Sequence, residues 1–360
     1  MSTIIKDKIT LDNLNDYQKS LLTRLPYLDI NMPKFEEIKQ KCEIVTISDL
    51  YTALSTPNAP YVGDMNINGS TKYIAGIAIT NASLLREMRS FGLGYLEIIE
   101  IIDNPKSGFF SICFSDSLSN KGFSFRGTDL KNIKSFAKDS YTDIESFLTN
   151  DTIQIIQAID LFKKYANTNG KNHLYGHSLG GFLAENIYAN NYRNIENVYV
   201  INPLHINTEQ LDSQDKINAF NDSKKFECYV TGGDYVSTIN SPELFKDNIR
   251  YILNSNITKN NVLGNHLIES ALFDKYGNFI TQTEEECYKG YENSFAIKAI
   301  SIINNKKVKL FFSNTLFFMK KAVVFMKSCI ILAKSNMFNV SNNFKNKLLD
   351  IFNKIFFNKK

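Results

Sequence analysis

The chain has 360 residues, of which 43% are hydrophobic and 22% charged; this balance excludes an intrinsically disordered protein and permits one large domain or two smaller ones. Its five cysteines are widely spaced, odd in number and form no C-x-x-C pair, which predicts neither a zinc site nor a disulfide framework and favours a reducing compartment. The opening MSTIIKDKITLDNLNDYQ has no apolar run longer than two residues, which disfavours an ordinary secretory signal peptide and leaves export by another route open.

The net charge of +4 conceals a strong asymmetry along the chain. From Lys298 onward there are thirteen lysines and one acid, Asp350, so this segment carries +12 and the rest of the chain −8. A basic tail on an acidic body favours an anionic partner for the tail, either a membrane surface or nucleic acid.

The first predicted elements are helices, followed by two strands. Residues 9–60 are expected to be mostly helical and irregular, with prolines as interruptions. Residues 73–80, YIAGIAIT, fit a strand or a short buried helix equally well. Residues 109–116 and 122–127 are apolar stretches separated by a short polar one, which is typical of a strand pair.

From residue 152 onward, helical and strand patterns alternate. Residues 152–168 are predicted to form a helix that ends at Asn167, and its apolar face comprises Ile155, Ile156, Ile159, Phe162 and Ala166. A short strand at 173–175 leads into a glycine-rich turn. The helix predicted after this turn has a buried face of Phe182, Leu183, Ile187 and Tyr188. Two further strands are predicted at 197–202 and 226–231.

The glycine-rich turn reads Gly176-His177-Ser178-Leu179-Gly180, a G-x-S-x-G pattern. On a turn from strand to helix this pattern predicts a nucleophilic serine, with an ordinary turn serine as the alternative. The oxyanion of an acyl-transfer intermediate needs preformed N–H donors. Leu179, directly after the serine, is one predicted donor, and Thr128 in SFRGTD (124–129) is the second.

A nucleophilic serine also needs a base and an acid that orients the base. The chain has four histidines, and His266 is the one that leaves room for an acid after Ser178, whereas His205 leaves only a short segment. Asp234 is the favoured acid because it follows a predicted strand through two glycines, and α/β active sites collect at the carboxyl ends of strands. Asp222 and Asp247 are alternatives, and a turn role for Asp234 or a loop role for His266 stays open.

The combination of FRGTD, GHSLGG, GGDYVS and GNH resembles the class 3 lipase family, and it is most similar to the Mbeg1-like branch of α/β-hydrolases. The resemblance extends from about residue 10 to about residue 275. It implies an α/β-hydrolase (lipase-like) fold of the α/β class, a catalytic triad of Ser178, Asp234 and His266, and an oxyanion hole of Thr128 and Leu179. No cofactor or metal is expected. Family members hydrolyse acyl esters of lipids, but many carry a tryptophan soon after the FRGT motif and this chain has none.

The chain is predicted to divide into a lipase-like domain, residues 1–297, and a basic amphipathic helical tail, residues 298–360. Lysines interrupt the apolar stretch 310–333, which disfavours a membrane-spanning helix. One helical stripe near the chain end suits a membrane interface and consists of Phe344, Leu348, Ile351, Phe352, Ile355 and Phe356. Packing on the hydrolase domain and binding to anionic lipid are equally favoured, and nucleic acid is disfavoured.

The sequence therefore predicts a serine hydrolase of carboxylic (lipid) esters, a lipase or phospholipase acting at a membrane surface, cytoplasmic or peripheral to a membrane. The alternatives are a soluble carboxylesterase or thioesterase with a structural tail, and a non-catalytic lipase-like interaction protein. Residues 129–150 are expected to form either an ordinary surface helix or a mobile lid. A lid would cover the site with Phe136, Tyr141, Ile144 and Phe147.

Overall fold

The computed structural model describes residues 9–28, 30, 32–54, 81–127, 142–168, 170–206, 211–234, 236–238, 243–254 and 262–289. The chain divides into two units, Met1–Ile300 and Ser301–Lys360, and every described residue belongs to the first. Several sequence predictions lie outside the described residues: the apolar segment 73–80, the oxyanion residue Thr128, most of the predicted lid and the basic tail.

Within the described residues, eight strands form one mixed sheet in the order in which they occur along the chain. They are β1 (Glu97–Asn104), β2 (Phe109–Ser115), β3 (Lys121–Phe125), β4 (Asn172–His177), β5 (Asn197–Ile201), β6 (Phe226–Thr231), β7 (Ile249–Ile252) and β8 (Thr281–Gln282). Strands β3 to β7 are parallel, whereas β1, β2 and β8 run antiparallel to their neighbours. The predicted strand pair is confirmed, since β2 and β3 are adjacent and antiparallel.

Helices cover both faces of this sheet. Those in the described ranges are α1 (Asp16–Arg24), α2 (Met32–Lys39), α3 (Ile47–Leu54), α4 (Asn81–Ser90), α5 (Thr142–Tyr165), α6 (Leu179–Asn191), α7 (Gln214–Phe220), α8 (Val262–His266) and α9 (Glu284–Tyr288). Within these ranges, none has both the length and the apolar character that a bilayer crossing requires.

Two separate apolar clusters show how the layers are arranged. Buried residues of α1 to α4 belong to one cluster and those of α5 to α7 to the other. Successive side chains of a strand point to opposite faces, so Tyr175 and Tyr199 join the first cluster and Leu174 and Val198 the second. The sheet therefore lies between two helical layers, which is a three-layer α/β architecture.

The predicted strands and helix around the glycine-rich turn are confirmed. Strands β4 and β6 are buried at every position, as expected of parallel strands covered on both faces. Helix α6 starts directly after Ser178 and buries the four predicted residues, Phe182, Leu183, Ile187 and Tyr188.

The predicted apolar face of α5 is wrong at one position. Ile156 is 54% exposed, whereas Ala158, Leu161 and Phe162 are buried. Each residue turns a helix by about 100°, so Ile156 lies about 100° around the axis from Ile155, at the margin of the packed stripe. The predicted end of the helix is confirmed, because α5 ends at Tyr165.

The N-terminal segment reaches the carboxyl ends of the central strands. Helix α1 starts with a capping box formed by Asn15 and Gln18 and lies against β3, β4 and β5. The hydroxyl of Tyr199 donates a hydrogen bond to the Asp16 carbonyl at 3.0 Å, which ties α1 to β5. A 3₁₀ turn, Leu25–Tyr27, follows α1 and brings Tyr27 beside the glycine-rich turn.

Candidate active site

Ser178 occupies a sharp turn between β4 and α6. Its φ of +58° and ψ of −127° lie in a region that non-glycine residues rarely adopt, which is typical of a nucleophile elbow. Both glycines of the motif are needed for close packing: a Cβ on Gly176 would lie 2.3 Å from the Gly180 carbonyl oxygen, and one on Gly180 would lie 2.1 Å from the Phe125 carbonyl oxygen. The residues on either side of Ser178 are buried, while Ser178 itself is partly exposed.

Asp234 and His266 are in direct contact although they are far apart in sequence. Asp234 follows β6, His266 ends α8, and His266 Nδ1 lies 2.8 Å from Asp234 Oδ1. The other carboxylate oxygen of Asp234 accepts a hydrogen bond from Ser237 Oγ at 2.6 Å. The backbone N–H groups of Val236 and Ser237 also donate to the carboxylate, each at 3.2 Å. Asp234 is therefore fixed from several sides.

The surroundings favour the ionised form of Asp234. Burial by itself raises the pKa of this carboxyl, but the charge of His266 and the hydrogen bonds from His266, Ser237 and Val236 together hold the pKa below its usual value. A carboxylate can only accept, so His266 Nδ1 carries the proton of the shared hydrogen bond. Whenever the ring is neutral, His266 Nε2 is therefore the unprotonated nitrogen, and among the described residues this buried atom has no hydrogen-bond partner. A general base needs such a free nitrogen.

Ser178 and His266 are not hydrogen-bonded to each other in this structure, since Nε2 has no partner. The rings of His266 and His177, the residue before Ser178, are 4.7 Å apart between centroids. Catalytic hydrogen bonds are often long without substrate, so this arrangement is compatible with a serine–histidine pair.

The alternative acids do not contact His266, and His205 is paired with an acid of its own. Asp222 and Asp247 are exposed, and neither is hydrogen-bonded to His266. His205 forms a second buried pair, in which its Nδ1 lies 2.8 Å from Glu185 Oε1. The other oxygen of Glu185 accepts a hydrogen bond from the backbone N–H of Ile206 at 2.8 Å, so this pair holds the segment after β5 to α6.

The two predicted oxyanion donors are described to different extents. Leu179 is the first residue of α6, where backbone N–H groups lack helical partners and the helix dipole favours negative charge. Thr128 lies outside the described residues, but Gly127 before it lies close to the elbow. A Cβ on Gly127 would come within 3.0 Å of the Ser178 Cβ. The guanidinium of Arg126, which follows β3, lies over the Phe110 ring at 4.6 Å.

Two residues that the sequence analysis did not identify hold this region together. The side-chain amide of Asn202 donates to the His266 carbonyl at 2.9 Å, and Asn202 itself has φ of +46° directly after β5. Tyr27 contacts His177 and Gly127 through its hydroxyl. The position of a polar residue at the carboxyl end of a predicted strand could have indicated Asn202, whereas no sequence signal indicates Tyr27.

Comparison with known proteins gives a partial structural likeness. No family model and no curated protein matches the sequence. Among solved structures, a triacylglycerol lipase from Penicillium expansum is 15% identical, covering 44% of this chain and 70% of its own, with a TM-score of 0.29. A triacylglyceride lipase from Rhizomucor miehei is also 15% identical, covering 47% of this chain and 70% of its own, with a TM-score of 0.28. Likenesses of this size assign no activity to the chain.

Proposed function

We propose that this chain is a serine hydrolase of carboxylic esters, with Ser178 as nucleophile, His266 as general base and Asp234 as the acid that orients it. The observation that carries the proposal is the 2.8 Å contact between Asp234 Oδ1 and His266 Nδ1, next to an elbow that presents a serine. The free Nε2 of His266 and the strained backbone of Ser178 support the same assignment.

The chemistry follows from these roles. Ser178 Oγ attacks the ester carbonyl while its proton passes to His266 Nε2, and the carboxylate of Asp234 stabilises the imidazolium that forms. The N–H of Leu179 and a donor from Thr128 stabilise the oxyanion. His266 then gives its proton to the leaving alcohol, which departs from an acyl-serine. Water activated by the same histidine releases the carboxylic acid and restores Ser178.

For the substrate class we propose acyl esters of lipids, cleaved by a lipase or phospholipase at a membrane surface. Support comes from the FRGTD, GHSLGG, GGDYVS and GNH motifs, which resemble class 3 lipases and most closely the Mbeg1-like branch, and from the charge of +12 after residue 297. Lipid substrate and basic tail fit together because a positive segment concentrates an enzyme at an anionic surface, where its substrate lies.

Labelling with a fluorophosphonate probe tests the chemistry. The wild-type protein is expected to react, Ser178→Ala not at all, and Asp234→Asn and His266→Ala about a thousandfold more slowly or worse, because the three groups act as a unit. Asp222→Asn and Asp247→Asn are the matched controls and should label as the wild type does. Labelling that survives Ser178→Ala would refute the proposal, and a wild-type protein that never labels would favour a non-catalytic interaction protein.

Substrate comparison tests the lipid assignment. A lipase or phospholipase should cleave emulsified triacylglycerol or phospholipid vesicles at least as efficiently per enzyme as a soluble p-nitrophenyl butyrate. Activity confined to the soluble ester would instead indicate a carboxylesterase or thioesterase.

A further inference from the structure

A chain of three hydrogen bonds connects Tyr27 and His177 to two parts of the proposed active site. The backbone N–H of Gly127, next to the predicted oxyanion residue, donates to Tyr27 Oη at 3.0 Å. Tyr27 Oη lies 2.9 Å from His177 Nδ1. His177 Nε2 lies 2.7 Å from the backbone carbonyl oxygen of His266.

The direction of each hydrogen bond follows from the chemistry of the groups. Burial, reinforced by the nearby charge of His266, lowers the pKa of His177 to about 3, so its ring is neutral and carries one proton. The His266 carbonyl can only accept, which places that proton on Nε2 of His177. Nδ1 of His177 must therefore accept, and Tyr27 donates to it while accepting from Gly127. Every bond in the series has one donor and one acceptor.

We propose that His177 and Tyr27 are positioning residues. They hold the backbone of Gly127, next to the predicted oxyanion residue, and the backbone of the catalytic His266 in place beside the nucleophile. This proposal rests on the proposed function of Ser178 and His266. His177 precedes the nucleophile in the chain, so its ring is carried by the elbow itself. One nitrogen of the ring fixes the backbone of His266, and the other, through Tyr27, fixes the backbone that leads into Thr128.

The two ends of this relay, defined as Gly127, Tyr27, His177 and His266, are held to different degrees. The His266 carbonyl has a second donor, Asn202 Nδ2 at 2.9 Å, whereas within the described part of the chain the Gly127 N–H donates to Tyr27 alone. Loss of the Tyr27 hydroxyl leaves a buried N–H and a buried imidazole nitrogen without partners. Removing the His177 donor leaves Asn202 in place. Loss of the Tyr27 hydroxyl is therefore expected to lower activity more than loss of the His177 donor does.

Tyr27→Phe removes one hydroxyl and keeps the ring. We expect kcat on a soluble p-nitrophenyl ester to fall roughly 10- to 100-fold, as misplacement of catalytic groups does, with KM changed less than about twofold, because no substrate contact is lost. Tyr188→Phe is the matched control: it also removes a tyrosine hydroxyl that donates a hydrogen bond, in this case to the backbone carbonyl of Ala219 at 3.0 Å, away from the site. The control should keep the wild-type kcat.

Two substitutions of His177 each remove one of the two hydrogen bonds that its ring forms. His177→Gln retains a donor near the position of Nε2 and loses the acceptor for Tyr27, whereas His177→Asn retains a group near Nδ1 and loses the donor to His266. In a double-mutant cycle, Tyr27→Phe should add less to the loss caused by His177→Gln than to the loss caused by His177→Asn, because Tyr27→Phe and His177→Gln remove one hydrogen bond in common. A Tyr27→Phe variant with wild-type kcat and labelling rate would overturn the proposal.

The proton that His266 Nδ1 shares with Asp234 is expected to resonate downfield, and its chemical shift would report on positioning without any turnover. The resonance should shift in His177→Asn and not in Tyr188→Phe. This measurement distinguishes the two proposals: a wild-type protein that fails to label contradicts the proposed hydrolase, whereas the relay is overturned when neither Tyr27→Phe nor His177→Asn changes this resonance.

Discussion

Two histidines of strand β4, His173 and His177, are buried in uncharged form at opposite ends of the strand. Burial lowers the pKa of His173 to about 4 from 6.5, even though the Asp12 carboxylate, 3.3 Å from Nε2, opposes this effect. For His177 the pKa falls to about 3 from the same starting value. An unfolded chain would bind a proton at each ring near pH 6.5, and the folded protein does not.

Acid should therefore destabilise the protein well before its carboxylates titrate. Each folded-state pKa lies below the unfolded value, so between pH 6.5 and about 4 the unfolded state binds more protons and unfolding becomes more favourable as pH falls. We expect the free energy of unfolding to fall by about 2 kcal/mol per histidine between pH 7 and pH 5. Urea unfolding at the two pH values measures this.

His173→Gln isolates one of the two contributions, because His173 lies at the start of β4, away from the proposed active site. The variant should lose less stability on acidification than the wild type, whatever its stability at pH 7. Equal losses in both proteins would contradict the assignment of a buried neutral His173. The lowered pKa of Asp234 acts only below pH 3.8, outside this window.

Among the residues of the proposed site, those in a motif could be predicted and those that support them could not. Ser178 lies in G-x-S-x-G, and the order of acid and histidine along the chain selected Asp234 and His266. The contact between Tyr27 and His177 joins residues 150 positions apart, and that between Asn202 and His266 joins residues 64 apart. A single tyrosine or asparagine has no local pattern that reveals a partner at such a distance.

The elbow between β4 and α6 can form because its glycines let three backbone segments approach closely. A Cβ on Gly180 would lie 2.1 Å from the carbonyl oxygen of Phe125, at the end of β3. Gly180→Ala must therefore displace β3 and, with it, the Gly127 backbone beside Ser178. We expect a destabilisation of about 1–3 kcal/mol and a fall in fluorophosphonate labelling larger than the loss of folded protein explains.

Gly170→Ala is the control for this substitution. Its Cβ would lie 2.1 Å from Asn167 Nδ2, the end of a side chain that can move, rather than against backbone. Stability should change by less than about 0.5 kcal/mol and labelling should be unaffected. If Gly180→Ala behaves like Gly170→Ala in both measurements, close packing at the elbow is not required.

At the scale of elements, the central strands and helices could be predicted from the sequence more reliably than the edge strand of the sheet. Strands β5 and β6 and helix α6 are buried and carry a clear pattern. Strand β1, EIIEIIDN, was not predicted, because a register shift between Ile98 and Glu100 breaks the alternation that identifies a strand. Its apolar pairs separated by glutamate resemble a helical repeat instead.

At the scale of the whole molecule, the charge asymmetry yields a prediction about surface binding. Removing residues 298–360 removes +12 of charge and leaves a chain at −8. We expect the truncated protein to bind anionic vesicles weakly while its rate on a soluble ester stays largely unchanged, since each lysine near such a surface contributes about 1 kcal/mol. Vesicle co-sedimentation, with neutral vesicles as the control, measures the electrostatic part. Salt should weaken binding of the full chain, because the Debye length falls to about 3 Å at 1 M.

A structural tail would give a different result in the same experiment. If residues 298–360 cover apolar surface of the rest of the chain, the truncated protein should aggregate or lose activity on the soluble ester as well. A truncated protein that stays folded, remains active and binds anionic vesicles as tightly as the full chain would exclude the membrane role.

Single substitutions between Phe344 and Phe356 distinguish insertion of an apolar helix face into the membrane from attraction by charge alone. Phe352→Asp places a carboxylate on the predicted apolar face, and Asn353→Asp makes the same change of charge on the neighbouring residue, on the predicted polar face. Both lower the positive charge equally, so an attraction that depends on charge alone should weaken by the same amount in each. If the helix lies in the interface with its apolar face towards the acyl chains, Phe352→Asp should weaken vesicle binding far more, since it also buries a charge in the hydrocarbon boundary. Equal binding by the two variants would indicate that the tail binds through charge alone and that no helix inserts into the interface.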